Sequence, residues 1–204
     1  STYYVLHPSL SVADNPLRYK IMYSVEGLAS GYAGCAPEIR NGRLVSVPAL
    51  SRITYFDEEY ESAPTTHISR FIVEHLCSLG VCEFDYETLR YHGHFTAVKN
   101  MGWRHTHNPH AFAERLKKIP ELTFDREKDT DRITIVVASG IGEKSYRYDV
   151  FFDPVTKFTA MEITTAIGIS LVAEHMATGR GKPTGFAVPP QFVDYDWFVG
   201  EMEK

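Results

Sequence analysis

Arg90-Tyr91-His92-Gly93-His94 sets a guanidinium and two imidazoles within one short segment. An arginine fork can hold a carboxylate through two parallel hydrogen bonds. A histidine can exchange a proton near neutral pH, so His92 and His94 are candidates for acid–base work or for contact with a ligand. A second group follows the turn signal Asp14-Asn15-Pro16, where Tyr19, Lys20, Tyr23, Ser24 and Glu26 crowd one span. Lys20 and Tyr19 can support proton transfer if buried, and Glu26 or Glu162 can accept from an ammonium. Thr65, Thr66, Thr164 and Thr165 add short hydroxyls. A zwitterionic amino acid needs this set: a cation for its carboxylate and acceptors for its ammonium.

Each group also has a plain structural use. Thr65 or Thr66 can cap a helix, and Glu162 can balance a helix N-terminus. Arg90 can close a structural ion pair, and the tyrosines can fill a core. His92 and His94, two positions apart on a strand, would share a face. His105, His107 and His110 form a third cluster in His105-Thr106-His107-Asn108-Pro109-His110. No cysteine or carboxylate pattern completes a metal site there, so it reads as a solvated loop and no metal is expected.

The elements that must position these residues can be read from period and punctuation. Residues 18–25 read as a strand with Tyr19, Ile21 and Tyr23 on one side and Lys20, Met22 and Ser24 on the other. The stretch Gly27 to Gly34 reads as turn-rich. Asn41-Gly42 predicts a tight hairpin between residues 35–40 and 43–47. Strands are expected over 52–56 and 81–91, and a helix after Thr65-Thr66 that ends at Gly80. Shorter helices follow near Phe95 and over 110–118. Residues 132–138 and 145–152 alternate as paired strands joined at Gly140-Ile141-Gly142-Glu143. Residues 161–178 carry the clearest helical period, ended by Gly179, and 191–203 read as a last amphipathic turn or helix. Hairpins with a few helices imply an α+β fold, a mixed and mostly antiparallel sheet with helices covering one face.

At 204 residues the chain is expected to be one domain over 1–204. Hydrophobic residues make up 44% and charged residues 23%, an ordinary globular composition. The net charge of −5, with basic residues dispersed, argues against nucleic acid as a partner. No run of about 18 apolar residues is present, so no membrane span is expected. Three cysteines, Cys35, Cys77 and Cys82, leave an odd thiol and favour a reducing, cytoplasmic setting. There is no GxGxxG, P-loop, HExxH or GxSxG motif. Gly140-Ile141-Gly142 lacks both the third glycine and the helix that a dinucleotide needs.

Asn15-Pro16-Leu17-Arg18-Tyr19-Lys20 through Gly27-Leu28 resembles the opening of the substrate domain in the saccharopine dehydrogenase and lysine 6-dehydrogenase family. Further blocks follow in the same order. They are Val47-Pro48-Ala49-Leu50-Ser51, Thr88-Leu89-Arg90-Tyr91-His92-Gly93-His94, Thr159-Ala160-Met161-Glu162-Ile163-Thr164-Thr165, and the Gly-rich stretch from Gly179 to Pro190. The resemblance implies the substrate-binding, dimerising C-terminal domain of an NAD- or NADP-dependent amine oxidoreductase acting on lysine, saccharopine or a related amino acid. It implies a homodimer, with a Rossmann domain outside this chain. The chain opens without Met and soon enters a motif, as an excised domain would. His94 and Lys20 are the catalytic candidates; Tyr19, Tyr23, Glu26, Thr65, Thr66, Arg90, His92, Thr164 and Thr165 are the substrate-binding ones. Two departures stand out. Leu6-His7-Pro8-Ser9-Leu10 replaces the family's Gly-Gly-Leu-Pro run, and the helix after Thr164-Thr165 lacks the usual proline. A non-catalytic amino-acid-binding or oligomerisation module is the alternative.

Overall fold

The computed structural model describes residues 2–8, 15–103, 108–138, 145–179, 185, 187 and 189–202. Strand β1 (Thr2–Pro8) opens the chain. Helix α1 (Val25–Gly31) comes next, followed by the hairpin of β2 (Cys35–Arg40) and β3 (Arg43–Pro48). Asn41 and Gly42 both take positive φ, 52° and 71°, which matches the right-handed twist of a two-residue hairpin loop. Then come β4 (Thr54–Tyr55), β5 (Tyr60–Pro64), α2 (Arg70–Ser78), β6 (Tyr86–Tyr91) and α3 (His94–Val98). Helix α4 (Pro109–Leu116), strands β7 (Asp131–Ala138) and β8 (Ser145–Phe151), and helices α5 (Ala160–Ala177) and α6 (Tyr195–Met202) complete the chain.

Six strands form one sheet in the order β4-β5-β6-β1-β7-β8. Only the β1–β6 pairing is parallel, so the sheet is mixed and mostly antiparallel, as expected. The main core lies on one face. Ala63 of β5 and Ile133 of β7 meet Leu28 and Ala29 of α1, Phe95 and Val98 of α3, Phe112 and Leu116 of α4, and Ala160 of α5. The other face carries a smaller cluster around Tyr60 and Leu89.

Local chemistry sets the helix starts. Ser24 Oγ accepts from the Gly27 amide at 3.0 Å and caps α1. Asn108 accepts from the amides of His110 and Ala111, with Pro109 at the first helical position of α4. Thr159 and Glu162 form a reciprocal capping box at the start of α5. The buried Asp131 carboxylate fastens that helix to the sheet by accepting from the Ala160 amide at 2.8 Å.

Residues 18–25 depart from the expected strand. Asn15 takes over the hydrogen bonds a sheet partner would have supplied: Oδ1 accepts from the Leu17 amide, and Nδ2 donates to the carbonyls of Tyr19 and Glu121. Only Ile21 reaches a neighbour, as an isolated bridge to Thr123. The alternation is still used, since Leu17, Tyr19 and Ile21 all enter the core. The glycine-rich stretch after it is helix α1, stabilised by its serine cap and not broken by Gly27. The 52–56 strand shrinks to Thr54–Tyr55, and β5 appears in an acidic segment that gave no apolar period. Ser69, not Thr65 or Thr66, is the N-cap of α2. The connection at 140–143 lies outside the described residues.

Candidate functional site

A cavity of about 460 Å³ opens between the helix-bearing face of the sheet and the helices α2 and α5. Tyr86, Thr88 and Arg90 alternate along β6, point to the same side and form its buried floor. Ile72 of α2, Ile68 just ahead of it and Met161 of α5 are its apolar walls. Tyr23 also lines it, and His67, Ser69 and Thr165 stand at the exposed rim. Met161 and Thr165 sit one helical turn apart, so both face the opening.

Arg90 is only 2% exposed. Its guanidinium carbon lies 4.5 Å from the centre of the Tyr19 ring, and Nη1 donates to the Leu89 carbonyl at 2.9 Å. Burial works against the charge, but the oxygens of Tyr32, Tyr19 and Tyr23 around it more than offset this, so its pKa rises. Burial pushes the Tyr19 hydroxyl up, with Tyr23 adding to the effect, and burial likewise raises Tyr32 despite Arg90. The floor of the cavity is therefore a permanent cation set among neutral phenols.

His94 stands behind that floor, fully buried. Gly93, at φ 92°, makes the sharp turn from β6 into α3 that sends the imidazole inward. Nδ1 lies 2.6 Å from the Leu17 carbonyl and Nε2 lies 2.8 Å from the Tyr32 hydroxyl. A carbonyl only accepts, so the proton is assigned to Nδ1, and Nε2 accepts from Tyr32. Burial first, and the Arg90 charge second, push its pKa down to about 3. His94 is thus a neutral bridge with both nitrogens engaged. The expectation that it shares a strand face with His92 fails because β6 ends at Tyr91. His92 turns the other way, stacks on Tyr55 at 5.1 Å and bonds the Asp57 carbonyl.

The other candidates divide clearly. Tyr23, Arg90 and Thr165 line the cavity, and Tyr19 backs Arg90. Thr65 Oγ1 lies 2.7 Å from that of Thr88 and so supports the floor from behind. Thr66 donates to the Ser30 carbonyl, and Thr164 bonds back to the Ala160 carbonyl of its own helix. Lys20 is elsewhere, 3.3 Å from the buried Asp129 in an ion pair. Glu26 pairs with Lys117 on the surface, which, with its own helix-start bonds, holds it down to about 2. Glu162 pairs with Arg126 and completes the capping box. His105 and His107 lie outside the described residues. His110 is in the first turn of α4.

The sequence reasoning passed over Thr88, Tyr86, His67 and Tyr32. Tyr86 and Thr88 were recoverable, because two-residue steps back from Arg90 reach them. His67 could not be inferred: its inner edge packs on Gly31, where a β-carbon would fall 1.9 Å from Nε2. Burial of that edge and the Arg90 charge push the imidazole down to about 4.

The family model described as saccharopine dehydrogenase C-terminal domain matches residues 2–204. The chain belongs to that family. Among solved structures it is similar to apo histidine-tagged saccharopine dehydrogenase (L-Glu forming) from Saccharomyces cerevisiae, with a TM-score of 0.61 at 13% identity. The likeness covers 99% of this chain and 63% of that one, so the chain spans less than two thirds of that enzyme's length. At such identity the likeness shows a shared α+β fold. Membership in the saccharopine dehydrogenase C-terminal domain family makes the chain a dehydrogenase-associated domain.

The starts of helices α2, α3 and α5 do not fit a dinucleotide. A pyrophosphate rests on free amides at a helix start behind a glycine-rich turn. The Phe95 amide of α3 already donates to Glu61 at 2.8 Å, and the Ala160 amide of α5 donates to Asp131. Either carboxylate would repel a phosphate. Helix α2 follows Thr65-Thr66-His67-Ile68-Ser69, which has no glycine for close backbone approach. No helix among the described residues is long and apolar enough to cross a membrane.

Proposed function

We propose that the chain is the substrate-binding and dimerisation domain of an NAD(P)-dependent amine oxidoreductase of the cytoplasm. Its substrate is lysine, saccharopine or a related amino acid, and the dinucleotide is held outside this chain. The observation that carries this is Arg90, a buried cation ringed by tyrosines at the floor of a mostly apolar cavity. Volumes of roughly 300–1,000 Å³ are usual for small-molecule sites, and this one is about 460 Å³. Arg90 binds and orients the carboxylate, Tyr19 holds the guanidinium plane, and Ile68, Ile72 and Met161 keep water from the chain of the substrate. His67, neutral at pH 7, is the group at the rim able to take up a proton. Dimerisation is assigned to the open sheet, where edge strand β8 leaves Phe151 exposed. It is checked by sedimentation equilibrium.

The test of the site is a thermal-shift titration with lysine, saccharopine and related diamino acids. A ligand at 100 times its Kd adds about 2.7 kcal/mol of stability, which raises the midpoint by several degrees. Arg90→Ala should abolish the rise. A flat response of the folded wild-type protein to every acid tested sinks the reading. A second reading, a non-catalytic amino-acid-binding module, is favoured by one observation. Neither of the acid–base candidates His94 and Lys20 lines the cavity. It predicts ligand binding with no turnover when the chain is supplied with its nucleotide-binding partner domain.

A further inference from the structure

Two of the three thiols meet at one glycine. Cys77, in the last turn of α2, aims Sγ at the Gly42 carbonyl, 3.6 Å away. The Gly42 amide donates in turn to the Cys82 carbonyl at 2.9 Å. Gly80, at φ 82°, folds the chain back over the helix end between the two cysteines. Its amide donates to the Cys77 carbonyl at 3.0 Å, and the Val81 amide donates to the Leu76 carbonyl at 3.2 Å. Cys82 Sγ lies over the same turn, 3.6 Å from the Gly80 carbonyl. Both thiols are reduced, Cys77 half-buried and Cys82 exposed, so a small disulfide can reach them. Cys35 is exposed too, but it stands at the open end of the β2–β3 hairpin opposite Pro48, about 20 Å from Gly42 along the strand.

We propose that Cys77 and Cys82 are a reversible dithiol switch, which closes to a disulfide across the turn at Gly80 and pins the end of α2. The oxidant is a small disulfide of the glutathione type. One cysteine thiolate attacks a sulfur of that disulfide. The S–S bond breaks, a mixed disulfide forms and the first glutathione thiolate leaves. The other cysteine thiolate then attacks the protein's own sulfur in the mixed disulfide, closes the protein S–S bond and expels the second glutathione. The two protein thiols have lost two electrons and two protons, and one glutathione disulfide has become two thiols. Disulfides that form and open in this way are the kind a reducing compartment allows. A ring this short removes little chain entropy, so its effect is local. It staples Leu79, Gly80 and Val81 to the last turn of α2, the helix whose Ile72 lines the cavity. The switch stands independently of what Arg90 binds.

The experiment incubates the folded 204-residue chain in glutathione buffers of falling thiol-to-disulfide ratio, traps the remaining thiols with iodoacetamide and maps the tryptic peptides. Cys77 and Cys82 share the peptide 71–90, and Cys35 falls in 21–40. Oxidation should leave peptide 71–90 lighter by two hydrogens, about 2 Da, closed to iodoacetamide and restored by dithiothreitol. Cys35→Ser should behave as the wild type, whereas Cys82→Ser should leave Cys77 alkylated or capped by a single glutathione. The folded chain should reach half-closure at a thiol-to-disulfide ratio about tenfold or more above that needed in concentrated urea, because the turn holds the sulfurs together. Hydrogen exchange at the amides of Leu79, Gly80 and Val81 should slow in the closed form. Glutathione adducts on both cysteines without closure overturn the proposal, as does a pair that closes no more readily folded than unfolded. Exchange that does not slow overturns the pinning of α2.

Discussion

His94 should make this protein acid-sensitive at a pH where its carboxylates are still charged. Its folded-state pKa is about 3, against about 6.5 in an unfolded chain. The unfolded state therefore takes up a proton that the native state refuses, and stability falls as pH drops through the interval between the two values. Above pH 6.5 neither state is protonated and the penalty is absent. At pH 5 the unfolded chain is almost fully protonated at this position, which costs about 2 kcal/mol. At pH 3 the loss approaches about 5 kcal/mol and then levels off. Against a typical total of about 5–15 kcal/mol, the first figure is easily measured. Urea unfolding at pH 8 and pH 5 should show the wild type losing about 2 kcal/mol more than His94→Gln, a side chain that does not titrate. His94→Gln will be less stable at pH 8, since it cannot bridge Leu17 and Tyr32, so the comparison is between slopes and not levels. Nitrogen NMR of the ring should also show the Nδ1–H tautomer unchanged from pH 8 to 5. Parallel pH slopes in the two proteins, or a ring that titrates near 6.5, would refute the reasoning.

Three further perturbations probe separate links. Thr159→Ala removes one half of the capping box on α5 and should cost about 1 kcal/mol by denaturant unfolding; no change would mean that Asp131 alone holds that helix start. Gly93→Ala forces a side chain into φ 92° with open space around it, so strain alone should cost about 1–2 kcal/mol, and a neutral effect would show that the turn can relax. Lys20→Met leaves Asp129 without its lysine and should cost about 1–3 kcal/mol while leaving ligand affinity at Arg90 unchanged. A parallel loss of binding would place Lys20 in the site after all.

Periodicity alone made much of this protein legible. Hairpin β2–β3 followed from Asn41-Gly42, strands β7 and β8 from strict alternation, and α5 from its three-to-four spacing and its stop at Gly179. These signals are local, because backbone conformation at a turn or along an amphipathic face depends on neighbouring residues. The order of motifs along the chain likewise pointed to the family, and Arg90 stood out by its chemistry as a candidate for a carboxylate. Tertiary structure decided the rest. Whether the alternating segment 18–25 became a strand depended on Asn15 reaching Tyr19 and on Glu121, far along the chain. That His94 bridges Leu17 and Tyr32 from a buried position depended on Gly93 turning it inward. That Glu26 and Glu162 lie away from the cavity and pair with Lys117 and Arg126 depended on segments far along the chain. Charge and burial are properties of what surrounds a side chain, and those surroundings are assembled from segments that do not adjoin in sequence.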